Sequence, residues 1–229
     1  MEISLLELRE LASAVGEKSD MFLSESISLV SYQPNHVIYK RGEVFSGINI
    51  ILRGVVKNVS WVDGKLVIPA LMVPGDVLAG ESFYAGIHFN DSVASSVVDT
   101  ISIPARAFDL MIKNSPDFRA YLSEALARAL AESALMINIL ANARAEVRVI
   151  FYLLKIFSAM SKGKRQPGFI ELGLSRTEIG DFLGLNRETV SRKLTTLTAC
   201  GLIRIAGHRV ELRDPEALKR ICGPIVLQC

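Results

Sequence analysis

Between residues 31 and 104 short apolar runs alternate with turn residues. Pro34, Gly42, Gly47, Gly54, Gly64, Gly75, Gly80 and Gly86 punctuate Val37–Tyr39, Ile48–Leu52, Val55–Val62 and Leu66–Met72. Short β-prone runs at intervals of roughly 8–12 residues predict an antiparallel sandwich or barrel. Asp63-Gly64 between two apolar runs predicts a tight hairpin, with Trp61 beside it as core or hairpin packing. The opening MEISLLELRELASAVGEK reads as an acidic helix. From Ser115 to about Asn142 the period turns helical and rich in alanine, and Pro116 suits a first helical turn. Leu122, Leu126, Ala129, Ser133, Met136 and Leu140 recur at alternating spacings of four and three, the seam of a coiled coil about three heptads long. Small residues along it would let two helices approach closely. The other reading of this stripe is a helix packed on its own sheets. Lys162–Pro167, KGKRQP, reads as a loop.

The segment Leu174–Arg192 then changes scale, with two short helical patterns flanking Gly184-Leu185-Asn186. Ser175 with Glu178 three residues on is a capping box, in which hydroxyl and carboxylate each satisfy a backbone N–H that the first turn leaves unpaired. Ile179, Leu183 and Leu185 supply apolar contacts between the helices. Gly184 falls where the first helix stops, and Asn186 can cap the second. Val190, Leu194 and Leu197 form its buried stripe, whereas Glu188, Ser191 and Arg192 share another arc beside Arg187. This is the layout of a helix-turn-helix whose second helix reads base edges from its N-terminal end. Arginine can pair bidentately with guanine and glutamate can accept from cytosine N4. The plainer reading is a solvated helix with Glu188 and Arg192 as an i,i+4 ion pair. Leu202–Ile205 and Arg209–Leu212 around Ala206-Gly207-His208 predict a hairpin, and the two together a winged helix. Arg204, His208 and Arg209 would lie near phosphates, which position a protein without reading sequence. The candidate DNA-contact set is thus Arg187, Glu188, Ser191, Arg192, Ser175, Arg176, Thr189, His208 and Arg209.

Charge sharpens the division. The chain of 229 residues carries a formal charge of only +2. Residues 1–143 hold 11 Lys and Arg against 16 Asp and Glu, while residues 144–229 hold 15 against 8. A basic half that also carries the helix-turn-helix suits nucleic acid, here double-stranded DNA. The expected class is α+β: an N-terminal antiparallel β-roll (1–114), a dimerisation helix (115–143) and a C-terminal winged helix-turn-helix (144–229). The start is acidic where a signal peptide is basic then apolar, and no apolar run approaches the ~18 residues of a membrane span, so a cytoplasmic protein without membrane contact is expected. Cys200, Cys222 and Cys229 all lie in the last thirty residues. Their odd count argues against a disulfide framework, and their placement denies the N-terminal half a thiolate-ligated cluster. No catalytic triad context, P-loop, dinucleotide fingerprint or paired metal ligands occur, so neither an enzyme nor a metal site is expected.

With these parts in order the chain resembles the CRP/FNR family of bacterial transcription factors. The resemblance covers nearly the whole chain and rests on Pro34–Glu43 (P-x-x-x-I-Y-x-x-G-E), Leu52–Gly54, Pro74–Asp76 and Leu183–Arg192 (L-G-L-N-R-E-T-V-S-R). It implies a cyclic-nucleotide-binding-like jelly roll and a homodimer that senses a signal in that roll. It also implies binding to a pseudo-palindromic promoter site, with RNA polymerase as a further partner of an activator. Glu188, Ser191 and Arg192 look like the FNR and FixK branch, whose half-site resembles TTGAT, whereas Arg187 looks like the CRP branch. A TTGA-type half-site follows. The sensory site departs further. Gly80, Glu81 and Ser92 match the family's cyclic-nucleotide pocket, but Asp91 replaces its phosphate-binding arginine, and a carboxylate there would repel a cyclic phosphate. Glu81 is then expected to cap loop amides. An FNR-type iron–sulfur cluster needs N-terminal cysteines, which are absent. Haem would need His36 or His88 as axial ligand, and the reading without any cofactor is FixK-like. Cys200 reads as a redox switch or as a small buried residue at the junction of helix and wing. The competing function is a haem- or nucleotide-binding regulatory module whose winged helix serves protein contacts.

Overall fold

The computed structural model describes residues 26–161 and 168–223. The expected opening helix, the Lys162–Pro167 loop and Cys229 lie outside the described residues. Strands β1 (Ser28–Tyr32), β2 (Val37–Tyr39), β3 (Gly47–Arg53), β4 (Val56–Val62), β5 (Lys65–Met72), β6 (Val77–Leu78), β7 (Asp91–Ala94) and β8 (Val98–Pro104) form two four-stranded sheets. Their orders are β1-β8-β3-β6 and β2-β7-β4-β5. The runs expected from the sequence as strands are therefore strands. Asp63 and Gly64 both take positive φ, 50° and 74°, the two-residue turn whose twist matches that of the strands it joins.

Period-two alternation sends Ile48 and Ile50 of β3 and Ile101 and Ile103 of β8 into one core. A short helix, α1 (Ser82–Ala85), precedes β7, and α2 (Ala105–Asn114) follows β8. Phe108 of α2 meets Phe45, Phe83 and Phe118 edge-on, at ring-centroid distances of 5.7, 4.9 and 6.0 Å. Edge-to-face geometry sets the positive rim of one ring against the negative face of the next.

Helix α3 (Pro116–Asn142) is a single 27-residue helix, and its N-terminal part supplies Phe118, Tyr121, Leu122 and Ala125 to the same core. This corrects the expected seam at its start: Leu122, only 5% exposed, is consumed by the sheets of its own chain. Met136 is half-buried as well. The exposed apolar stripe of α3 is Leu126, Leu130, Ile137 and Leu140, with exposed Ser133 between them. Its four-three-four-three spacing keeps the heptad but shifts its register, retaining Leu126, Ser133 and Leu140 and replacing Ala129 and Met136. Of the two readings of Trp61, core is not realised, since it is 59% exposed; it stands on the hairpin, two residues from the tip of the β4–β5 turn.

Helices α4 (Ala145–Ser161), α5 (Arg176–Leu183), α6 (Arg187–Ala199) and α7 (Pro215–Cys222) follow with strands β9 (Ile170–Glu171), β10 (Ile203–Ala206) and β11 (Arg209–Leu212). The last three pair in the order β10-β11-β9. Val149–Leu154 and Ile156 of α4 are buried, as suits a helix surrounded by others. Two compact units result, divided within α3 between Leu130 and Ala131, with Trp61–Ala70 grouped with the C-terminal one. No helix among the described residues is long and apolar enough to cross a membrane. Phe108→Ala is expected to cost about 3–5 kcal/mol through the cavity left among three aromatic neighbours, measurable as a lower urea midpoint.

Candidate nucleic-acid interface

The helix-turn-helix is built by local bonds that its residue types dictate. Glu178 N–H donates to Ser175 Oγ at 3.3 Å and Ser175 N–H to Glu178 Oε2 at 2.8 Å, completing the capping box. Gly184 ends α5 in the left-handed region at φ 62°, where glycine meets no steric penalty. Asn186 Oδ1 accepts from Thr189 N–H at 2.8 Å and caps α6. One determinant was not read from the sequence: Gly180, buried inside α5. A Cβ there would overlap the Leu185 carbonyl oxygen, and Leu185 N–H donates to Gly180 O at 2.9 Å. The turn folds back onto α5 only because that position is bare. An isolated glycine inside a helical pattern was the available signal.

Val190, Leu194 and Leu197 are at most 1% exposed, so the opposite arc of α6 faces outward. Arg187, Glu188 and Arg192 are exposed there, and Ser191 and Thr189 half-buried. Arg176, exposed at the start of α5, donates to Ser191 Oγ at 3.4 Å and so joins the two helices on this face. Among the described residues no ion pair links Glu188 to Arg192, so the plain salt-bridge reading is not realised and both groups keep their hydrogen-bonding capacity. Ser175 is exposed at the same end of α5.

The wing is tighter than expected, since Ala206 pairs with Arg209 inside the ladder and leaves Gly207-His208 as the turn. His208 O accepts from Leu172 N–H at 2.9 Å, tying the tip to β9, and the Tyr152 hydroxyl donates to Leu172 O from below. Arg204 and Arg209 both stack on Phe169, with guanidinium carbons 5.6 and 5.8 Å from its ring centroid. Phe169 was missed by sequence reading because it follows the loop and belongs to no periodic run. Cys200 lies exposed at the C-terminal cap of α6, not buried at the wing junction.

The sensory candidates separate in space. Asp91 and Ser92 are neighbours on β7 and point to opposite faces. The Asp91 carboxylate accepts from Arg41 N–H at 2.8 Å, which ties down the Lys40–Glu43 turn. Ser92 is fully buried and donates to Asn58 Oδ1. Glu81 follows Gly80 at the head of α1 and makes no side-chain cap to the helix; its carboxyl takes a hydrogen bond from its own backbone amide. Glu81 is exposed as a residue, yet desolvation of its carboxyl raises its pKa above the usual range against the bond from its own amide, and burial reinforced by Glu81 pushes the Tyr39 phenol well above its own. His88 is 2% exposed, its Nδ1 is 2.9 Å from Ser82 Oγ and its ring stacks on Tyr39 at 3.9 Å. Burial depresses its pKa, against an opposing pull from Glu43. His36 is exposed, its ring centroid 5.3 Å from that of Tyr32.

A winged helix-turn-helix following two antiparallel sheets and a long helix defines a class of DNA-binding regulators. Residues 147–221 match the Crp-like helix-turn-helix domain. The transcriptional activator protein Anr of Pseudomonas protegens is 25% identical over 187 residues, covering 81% of this chain and 77% of Anr. The fumarate and nitrate reduction regulatory protein of Escherichia coli is 22% identical over 192 residues, 83% of this chain and 77% of that protein. In structure, FixK2 from Bradyrhizobium japonicum superposes with a TM-score of 0.73 at 26% identity, over 84% of this chain and 95% of FixK2. A CRP-family regulator from Thermus thermophilus gives 0.72 at 25% identity, over 87% of this chain and 100% of that one. Over more than four-fifths of its length the chain is similar to transcription regulators of the CRP/FNR type, and its C-terminal unit carries their helix-turn-helix domain.

Gly180→Ala should abolish DNA binding and lower the melting midpoint of the C-terminal unit, because backbone, not a movable side chain, occupies the space a methyl needs. Calorimetry and a DNA-binding titration check it.

Proposed function

We propose that this protein is a homodimer that reads a pseudo-palindromic double-stranded DNA site with TTGA-like half-sites. The observation that carries the reading is the outer arc of α6, where Arg187, Glu188 and Arg192 stand exposed at the reading end of the helix, beside the Ser191 hydroxyl bonded to Arg176. Glu188 can accept from cytosine N4 and an arginine can grip guanine O6 and N7, and in this reading Ser175, Thr189, His208 and Arg209 contact the DNA backbone. Dimerisation is supported by the exposed heptad stripe Leu126, Leu130, Ser133, Ile137 and Leu140 on α3. Two-fold symmetry in the protein answers two-fold symmetry in the site.

The controlling signal in this reading is neither cyclic AMP nor an iron–sulfur cluster. Asp91 supplies negative charge where the family pocket has an arginine, Ser92 already serves Asn58, and residues 1–199 contain no cysteine. The protein acts without haem: His88 is spent on Ser82 and Tyr39 within the core. Anr is by name an activator, and an activating role here would make RNA polymerase a further partner.

Arg192→Ala is expected to weaken operator binding by about 1–3 kcal/mol, or roughly 5- to 150-fold, with the oligomeric state unchanged. An unchanged affinity in a fluorescence-anisotropy titration would favour a winged helix used for protein contacts. Wild-type affinity should fall steeply between about 50 and 200 mM salt as counterions are released. Ile137→Glu should convert dimer to monomer in analytical ultracentrifugation while circular dichroism stays constant; a persistent dimer would move the interface off this stripe.

A further inference from the structure

Where α3 gives way to α4, the C-terminal unit contains a cavity of about 240 Å³ that the reading above leaves unused. Its walls are Ile139, Ala143, Val147 and Cys222, and Arg144 stands at the rim with the amides of Asn138 and Asn142. The Cys222 thiol faces Val147 O at 3.9 Å. Burial raises its pKa to about 11, so this wall carries no charge at neutral pH. Arg144 is exposed, and among the described residues no carboxylate pairs with its guanidinium. An apolar hollow with one available guanidinium at its mouth is chemically matched to an amphipathic anion, whose carboxylate forms a charge-assisted pair at the rim. A cavity of about 150 Å³ takes a benzene ring, so this one suits a ligand of about ten non-hydrogen atoms.

The cavity is also bonded to the reading head. Ala143 lines it, and the Ala143 carbonyl accepts from Arg148 Nε at 3.0 Å. The same guanidinium donates through Nη1 to Leu183 O at 3.0 Å, at the last residue of α5. One side chain thus clamps the cavity wall to the end of the helix on which α6 turns. A ligand that displaces Ala143 acts on that clamp directly.

We propose that this cavity is an effector site for a small amphipathic carboxylate, and that its occupancy alters DNA affinity through Arg148. The regulatory half rests on the DNA-binding reading; the binding half does not. The test is isothermal titration of the full chain with 3-phenylpropanoate, and with 3-phenylpropylamine as the same skeleton of opposite charge. Saturable binding of the acid at one per chain is expected, with none of the amine. Arg144→Ala should weaken it at least about tenfold, and Val147→Phe, which fills the hollow, should abolish it while operator affinity without ligand is kept. Equal binding of acid and amine, or wild-type binding by Arg144→Ala, overturns the charge assignment. No heat with either compound overturns the site. In a parallel operator titration the acid should shift affinity at least about threefold in wild type and not in Val147→Phe, a coupling of modest size. Binding without that shift overturns the regulatory role alone, whereas a chain that binds the acid but no operator DNA overturns the DNA-binding reading and leaves the site standing.

Discussion

The reading surface depends on how closely the Leu185 backbone approaches Gly180. A hydrogen in place of a methyl lets the turn close onto α5, and the bond from Leu185 N–H to Gly180 O fixes it there. From that closure follow the position of the Asn186 cap, the direction in which α6 leaves it, and the arc on which Arg187, Glu188 and Arg192 stand. The buried stripe of Val190, Leu194 and Leu197 contributes packing energy, yet apolar contacts alone are non-directional and specify no angle. Arg148 adds a second tether by reaching the Leu183 carbonyl at the end of α5, where a helix leaves acceptors unsatisfied.

The N-terminal sheets show the opposite economy. Their buried polar groups are turned inward, Ser92 on Asn58 and His88 on Ser82 and Tyr39, while Asp91 serves the Arg41 amide at the surface. Groups already paired in a buried network are costly to redirect, because a partner left unsatisfied loses its bond without regaining water. In such a roll these polar groups are engaged with one another.

Much of the architecture was legible because its signals are local. The Ser175–Glu178 box, the Gly184 stop, the Asn186 cap and the Asp63-Gly64 turn each concern residues within four positions of one another, and backbone chemistry decides them. What misled was burial by distant parts of the chain. Leu122 fits the heptad as well as Leu126 does, but α3 lies over the core of the sheets at that point and Leu122 is absorbed there. Trp61 could be read as core or as hairpin packing, and its place near a hairpin tip leaves more than half of it in water. Phe169 carried no periodic signal, and its two arginines come from strands more than thirty residues away.

By itself the sequence determined the types and order of the elements, the helix caps and the outward arc of α6, since periodicity and capping are properties of short segments. Tertiary structure alone decided which register of α3 stays exposed and that Asp91 serves a loop amide while Ser92 serves the interior. It alone placed Arg148 between Ala143 and Leu183. Those outcomes depend on which surfaces meet across long sequence separations, and a linear pattern records that a residue is apolar or charged without recording what will cover it.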